Sequence, residues 1–152
     1  MLFDSHAHYD DEKFDSLRDE LLSKMPEYGV KRIVNAGASI KGSYASRELA
    51  GKYDFMYFAA GIHPESAFED MQNPEWLSEI EALCRDEKCV AVGEIGLDYY
   101  WSRDHVAEQK ECFISQLELA RMLGLPAVIH DREAHGDCLE IVKGYTDVRI
   151  LF

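Results

Sequence analysis

Residues 89–100, CVAVGEIGLDYY, decide the fold. The stretch opens with a short apolar run rich in valine, which reads as a strand buried on both faces, and then runs through the acidic residues Glu94 and Asp98. A strand buried on both faces belongs to a parallel sheet covered by helices. Helical sequence lies on either side of it. Residues 73–87, NPEWLSEIEALCRDE, carry a start signal in Asn73 and Pro74, and residues 104–124, DHVAEQKECFISQLELARMLG, end on Gly124.

The same alternation extends in both directions. Residues 2–8, LFDSHAH, read as a first strand and residues 11–29 as a helix, with Phe14, Leu17, Leu21 and Leu22 at helical spacing and Gly29 as the stop. A strand is expected at 30–37, a helix at 39–53, a third strand at 55–64, a fifth at 125–131, a helix at 134–145 and the start of a sixth strand at 148–152. Repeated βα units fit an open doubly wound sheet or part of a (β/α)8 TIM barrel. No glycine-rich phosphate loop follows the first strand, and the polar residues recur at strand C-termini, where barrels build their sites, so the barrel is favoured. Such a barrel usually needs ~250 residues. Five βα units plus a strand make an incomplete one, here a single domain over 1–152, with open edges at strands one and six through which it is expected to self-associate.

The residues at those strand ends have one chemistry in common. They are His6 and His8 after strand one, Asn35 after two, His63 after three, Glu94 and Asp98 after four, and His130, Asp131 and Arg132 after five. Alternation along an extended strand places Asp4, His6 and His8 on one side. Neutral imidazoles and carboxylates are the ligands of divalent metals such as Zn²⁺ or Mn²⁺, and one carboxylate can bridge two ions. A curled sheet would bring them together. Plainer roles exist for several: Arg132 could pair with Asp131 or Glu133, Asp98 could fix a loop or orient a ligand histidine, and His63 could sit in a turn. His105 and His135 read as ordinary helix-start residues.

Charge and cysteine content narrow the class. Acidic residues number 29 against 16 basic ones, for a net charge of −13, which disfavours broad adhesion to nucleic acid because that affinity comes from Lys and Arg displacing counterions. A phosphate substrate at a local metal centre remains compatible with it. Cys84, Cys89, Cys112 and Cys138 follow no metal-binding spacing and read as buried reduced thiols, which with the lack of an apolar signal or membrane-spanning run points to the cytoplasm.

Four stretches together carry a resemblance: DSHAH at 4–8, GIHPE at 61–65, VGEIGLDYYW at 92–101 and QKECFISQLELARMLGLPAVIHDREAH at 109–135. They resemble the TatD family of metal-dependent deoxyribonucleases, among the amidohydrolase-type barrels. The resemblance implies that His6, His8, Glu94 and His130 are metal ligands, that Glu94 bridges two divalent ions (Mg²⁺, Mn²⁺ or Zn²⁺) and is catalytic, and that His63, Asp98 and Arg132 lie near the substrate. It implies hydrolysis of phosphodiester bonds in DNA, as single strands or ends, with the DYYW stretch able either to stack on a base or to cover the core. The family pattern continues with a histidine and an aspartate beyond Phe152, so the chain is expected to be a fragment or a short relative with little activity alone. Two other classes share these features: a small-molecule amidohydrolase or lactonase, and a metal-binding module without catalysis.

Overall fold

The computed structural model describes residues 1–152. Six strands form one sheet: β1 (Leu2–Ala7), β2 (Val30–Ala36), β3 (Met56–Ala60), β4 (Cys89–Asp98), β5 (Ala127–Arg132) and β6 (Ile150–Leu151). All neighbours are parallel, and their order is β1-β2-β3-β4-β5-β6. That order answers the question left open by the sequence. A doubly wound sheet reverses direction at a switch point, whereas here every crossover adds its strand on the same side, as in the wall of a barrel. The incomplete barrel expected from the sequence is present, and its edges are β1 and β6.

Six helices connect the strands: α1 (Arg18–Lys24), α2 (Ile40–Lys52), α3 (Pro64–Asp70), α4 (Trp76–Cys84), α5 (Val106–Leu123) and α6 (His135–Val142). Alternation along the strands sorts the apolar residues into two sets. Ile33, Phe58, Ala60, Val92, Ile95, Ala127 and Ile129 join the main core with Leu22, Ile80, Phe113 and Leu117 from the helices. Val34, Ala59, Ala91 and Val128, one residue out of phase, form a separate small cluster on the opposite face, the inner face of the barrel wall. Both faces of β3 to β5 are thus apolar, which is why CVAVGEIGLD has no polar alternation in its first half.

Four local expectations are corrected. The helix read over 11–29 is a single 3-10 turn at Glu12–Phe14 followed by the short α1, and only Leu22 of its apolar residues is fully buried. Strand three ends at Ala60 rather than Pro64, because His63, Pro64 and Glu65 start α3 as N-cap, first-turn proline and first-turn acid. The helix read from Asn73 begins at Trp76, and Asn73 instead accepts the Glu75 N–H at 3.0 Å. Strand six is confined to Ile150–Leu151.

One glycine fixes the register that matters most. Gly96 pairs with His130 across β4 and β5 and has φ +144°, and a Cβ there would lie 2.0 Å from the His130 carbonyl oxygen. Only glycine fits. Gly96→Ala is therefore expected to cost about 3 kcal/mol or more of stability in urea unfolding. Gly51→Ala, in α2 with nothing within 4 Å, should be neutral or gain up to about 1 kcal/mol. Equal midpoints for the two variants would contradict this register.

Candidate metal centre

The site is assembled around a bulge in β4. Val92 pairs with Ala127 and Ile95 with Ile129, so three steps on β4 match two on β5, and the extra residue falls at Gly93 or Glu94. Gly93 allows this, since a Cβ there would meet the Val128 Cβ at 2.7 Å. Released from the β5 ladder, the Glu94 N–H donates to the Gly37 carbonyl beyond β2 at 2.8 Å. Glu94 is 7% exposed. It faces three histidines.

His6 Nε2 lies 3.1 Å and His8 Nε2 3.3 Å from Glu94 Oε2, and His130 Nδ1 lies 3.2 Å from Oε1. Two of the three, His8 and His130, are aimed by a second partner. The His8 Nδ1–H donates to the Ala36 carbonyl at 2.9 Å, which leaves the Nε2 lone pair directed at the centre. The loop that carries His8 is held by Asn35, fully buried, whose Oδ1 accepts the Tyr9 N–H at 2.6 Å and whose Nδ2 donates to Asp10 Oδ1 and Ser46 Oγ at 2.7 and 2.8 Å. His130 Nε2 reaches Asp98 Oδ2 at 2.9 Å. Asp4, which alternation puts on the side of His6 and His8, stays outside this cluster and accepts the His6 backbone N–H at 3.3 Å.

Asp98 and His63 are pinned from α5 by two glutamines. Gln109 accepts the Asp98 N–H and donates to the Asp98 carbonyl, both at 3.0 Å, and Gln116 makes the same two-point contact with Ile62 at 2.8 and 3.1 Å. Both Asp98 oxygens are used, since Oδ1 accepts the Tyr100 N–H at 2.9 Å. His63 Nδ1 accepts the Glu65 N–H at 3.2 Å, so a neutral ring carries its proton on Nε2. Arg132 pairs with neither Asp131 nor Glu133. Its guanidinium sits 3.8 Å from the Tyr100 ring centre and 5.3 Å from that of Trp101.

The charges of this cluster are mutually compensating. Burial works against the Glu94 carboxylate, yet hydrogen bonds from His130, His6 and His8 outweigh it and hold the group far below the usual carboxylate range. The hydrogen bond to Glu94 raises His8 against the opposing effect of burial. His130 is also raised, with burial opposing and Glu94 and Asp98 prevailing. His63 goes the other way, down to about 4, through burial and the nearby His130.

Two groups of candidate ligands share Glu94: His6, His8 and Glu94, and His63, Glu94 and His130, with the donor atoms of each group within 4.8 Å of one another; in the second, His63 already uses Nδ1 to accept the Glu65 N–H. Imidazole and carboxylate donors at this spacing, one ring already oriented by a backbone carbonyl, fit a divalent transition metal. The sequence pattern of the TatD-related DNase family matches residues 3–152. The chain belongs to that family. Similar proteins include the "uncharacterized metal-dependent hydrolase YabD" of Bacillus subtilis, 39% identical over 94% of this chain and 55% of that protein. The "3'-5' ssDNA/RNA exonuclease TatD" of Cronobacter sakazakii is 32% identical over 96% of this chain and 55% of its own length. Among solved structures, the TatD homologue YJJV of Escherichia coli superposes with a TM-score of 0.84 at 27% identity, covering 95% of this chain and 56% of that one. The chain thus spans about half the length of the TatD relatives it matches.

Protons and metal compete for the same nitrogens. Glu94 is depressed, so its contribution to stability is present above its unfolded value of 4.5 and is lost as pH falls toward its folded value. The contributions of His8 and His130, both raised, are complete below 6.5 and are lost as pH rises through their folded values. In chelator, these pairs therefore stabilise the chain most between 4.5 and 6.5. Metal affinity should rise with pH through and above 6.5 and be accompanied by proton release, read by calorimetry in buffers of different ionisation enthalpy. A pH-independent affinity between about 5 and 8 would contradict the assignment. Gln116→Ala, which strips both polar partners from the buried Ile62 backbone, should cost about 1–3 kcal/mol in urea unfolding.

Proposed function

We propose that this chain carries a divalent-metal centre of a hydrolase that cleaves phosphodiester bonds in single-stranded DNA or at DNA ends. The observation that supports it is the Glu94 carboxylate, with one oxygen facing His6 and His8 and the other facing His130. That is the arrangement a bridging ligand needs to hold two ions side by side. When bound, divalent ions such as Mn²⁺, Mg²⁺ or Zn²⁺ supply Lewis-acid polarisation of a phosphoryl oxygen and make water more acidic.

The remaining side chains have distinct tasks in this reading. His6 and His8 would hold one ion with Glu94, and His130 would hold a second with it. Asp98 keeps the His130 Nε2 proton, so Nδ1 is the nitrogen left for the ion. His63, neutral at physiological pH and protonated on Nε2, offers a hydrogen bond to a substrate oxygen without adding charge. Arg132, stacked on Tyr100 and free of any carboxylate, presents its guanidinium edge to a phosphate. The name of the Cronobacter relative supports a nucleic-acid substrate over a small lactone or amide.

The gene product bearing these residues, given Mn²⁺ and end-labelled single-stranded DNA, should degrade it in a chelator-sensitive way. Glu94→Gln should reduce turnover on the order of 10²-fold or more, beyond what loss of a supporting contact costs. Arg132→Ala should raise KM more than it lowers kcat. Turnover of a lactone panel with inert DNA would overturn the substrate, and full activity in Glu94→Gln would overturn the site.

A further inference from the structure

Beside the metal centre lies a cavity of about 280 Å³ between α3 and the loop that leads from β4 to α5. None of the roles above uses it. Its walls are Phe68, Trp101, His105 and Pro64, its polar rim includes Glu65, and Asp98 reaches its inner end. Phe68 and His105 are already stacked, with ring centres 3.8 Å apart and planes 18° from parallel. Phe68 is 44% exposed and Trp101 66% exposed, more aromatic surface than a loop needs to cover the core. His105, which reads in the sequence as a bland helix start, is part of this wall.

Two features connect the cavity to the metal centre. Asp98 is hydrogen-bonded to His130, and Glu65 lines both this cavity and the cleft that contains His8, His63 and Glu94. The Glu65 carboxylate makes no hydrogen bond or ion pair, although its backbone N–H caps onto His63. The volume accommodates a single flat ring system. Aromatic walls favour a π-face, and an acceptor-only carboxylate on the rim favours a ring edge that donates N–H.

We propose that this cavity takes the nucleobase next to the scissile phosphate, stacking it against Phe68 and Trp101, and that Glu65 selects guanine, whose N1–H and N2–H donors lie side by side, over thymine, which offers a single N–H. The proposal rests on the nucleic-acid reading of the site above, because it places the base by the phosphate's position at Glu94. Arg132, the last residue of β5, stacks on Tyr100 and Trp101 of that loop and would meet the strand's phosphate.

Calorimetric titration in chelator tests base binding apart from cleavage. The ligands are trinucleotides d(TTG) and d(TTT), the same strand with an abasic end, and dGMP. We expect d(TTG) to bind at least tenfold more tightly than the abasic strand and several-fold more tightly than d(TTT). Phe68→Ala and Trp101→Ala, both at exposed positions and checked for folding by circular dichroism, should each remove most of the base-dependent gain. Glu65→Gln should abolish the guanine preference while leaving the stacking gain. Equal affinity for base-bearing and abasic strands, or unaltered binding in both aromatic variants, would overturn the pocket. dGMP binding as tightly as d(TTG) would overturn the strand assignment in favour of a free nucleotide. Base-dependent binding in a protein that cleaves no DNA with Mn²⁺ would instead sustain the pocket and overturn the nuclease reading, and cleavage without base-dependent binding would do the reverse.

Discussion

A single buried carboxylate with no lysine or arginine beside it sets the terms for this structure. Glu94 sits on a strand bulge, 7% exposed, where an isolated charge would be far too costly to keep. Three imidazoles make it tolerable, His6 from β1, His8 just after it and His130 from β5. The bulge at Gly93, the close approach at Gly96 and the Asn35 latch all serve to bring those rings to the carboxylate. Without an ion, hydrogen bonds from these histidines do the compensating. An ion bound as proposed would take over that role.

Half of this arrangement is legible along the chain. An apolar run on both faces of 89–97 specifies a parallel sheet, and histidines and carboxylates at successive strand ends specify where ligands gather. Strand order could not be read this way, because five βα units have the same local pattern in a barrel and in a doubly wound sheet. Only the pairing β1-β2-β3-β4-β5-β6 separates them.

Long-range contacts account for what the sequence did not disclose. Alternation places Asp4 beside His6 and His8, but the carboxylate that meets them is 88 residues from His6. Gln109 and Gln116 are seven residues apart on one face of α5, a polar pair on an otherwise buried stripe that marks a backbone contact without saying which backbone. The start of α3 is ambiguous in the sequence, since His63–Pro64–Glu65 caps a helix while the similar Asn73–Pro74 does not. His105 had no local signal at all. Its stacking partner Phe68 lies on a different helix.

Crystals grown with Mn²⁺, examined by anomalous diffraction at the manganese edge, test the central claim most directly. The account predicts a peak in bonding range, about 2.0–2.3 Å, of Glu94 and of the Nε2 atoms of both His6 and His8, with the His8 Nδ1–Ala36 hydrogen bond retained. Manganese bound elsewhere, with Glu94 still held only by histidine hydrogen bonds, would contradict it.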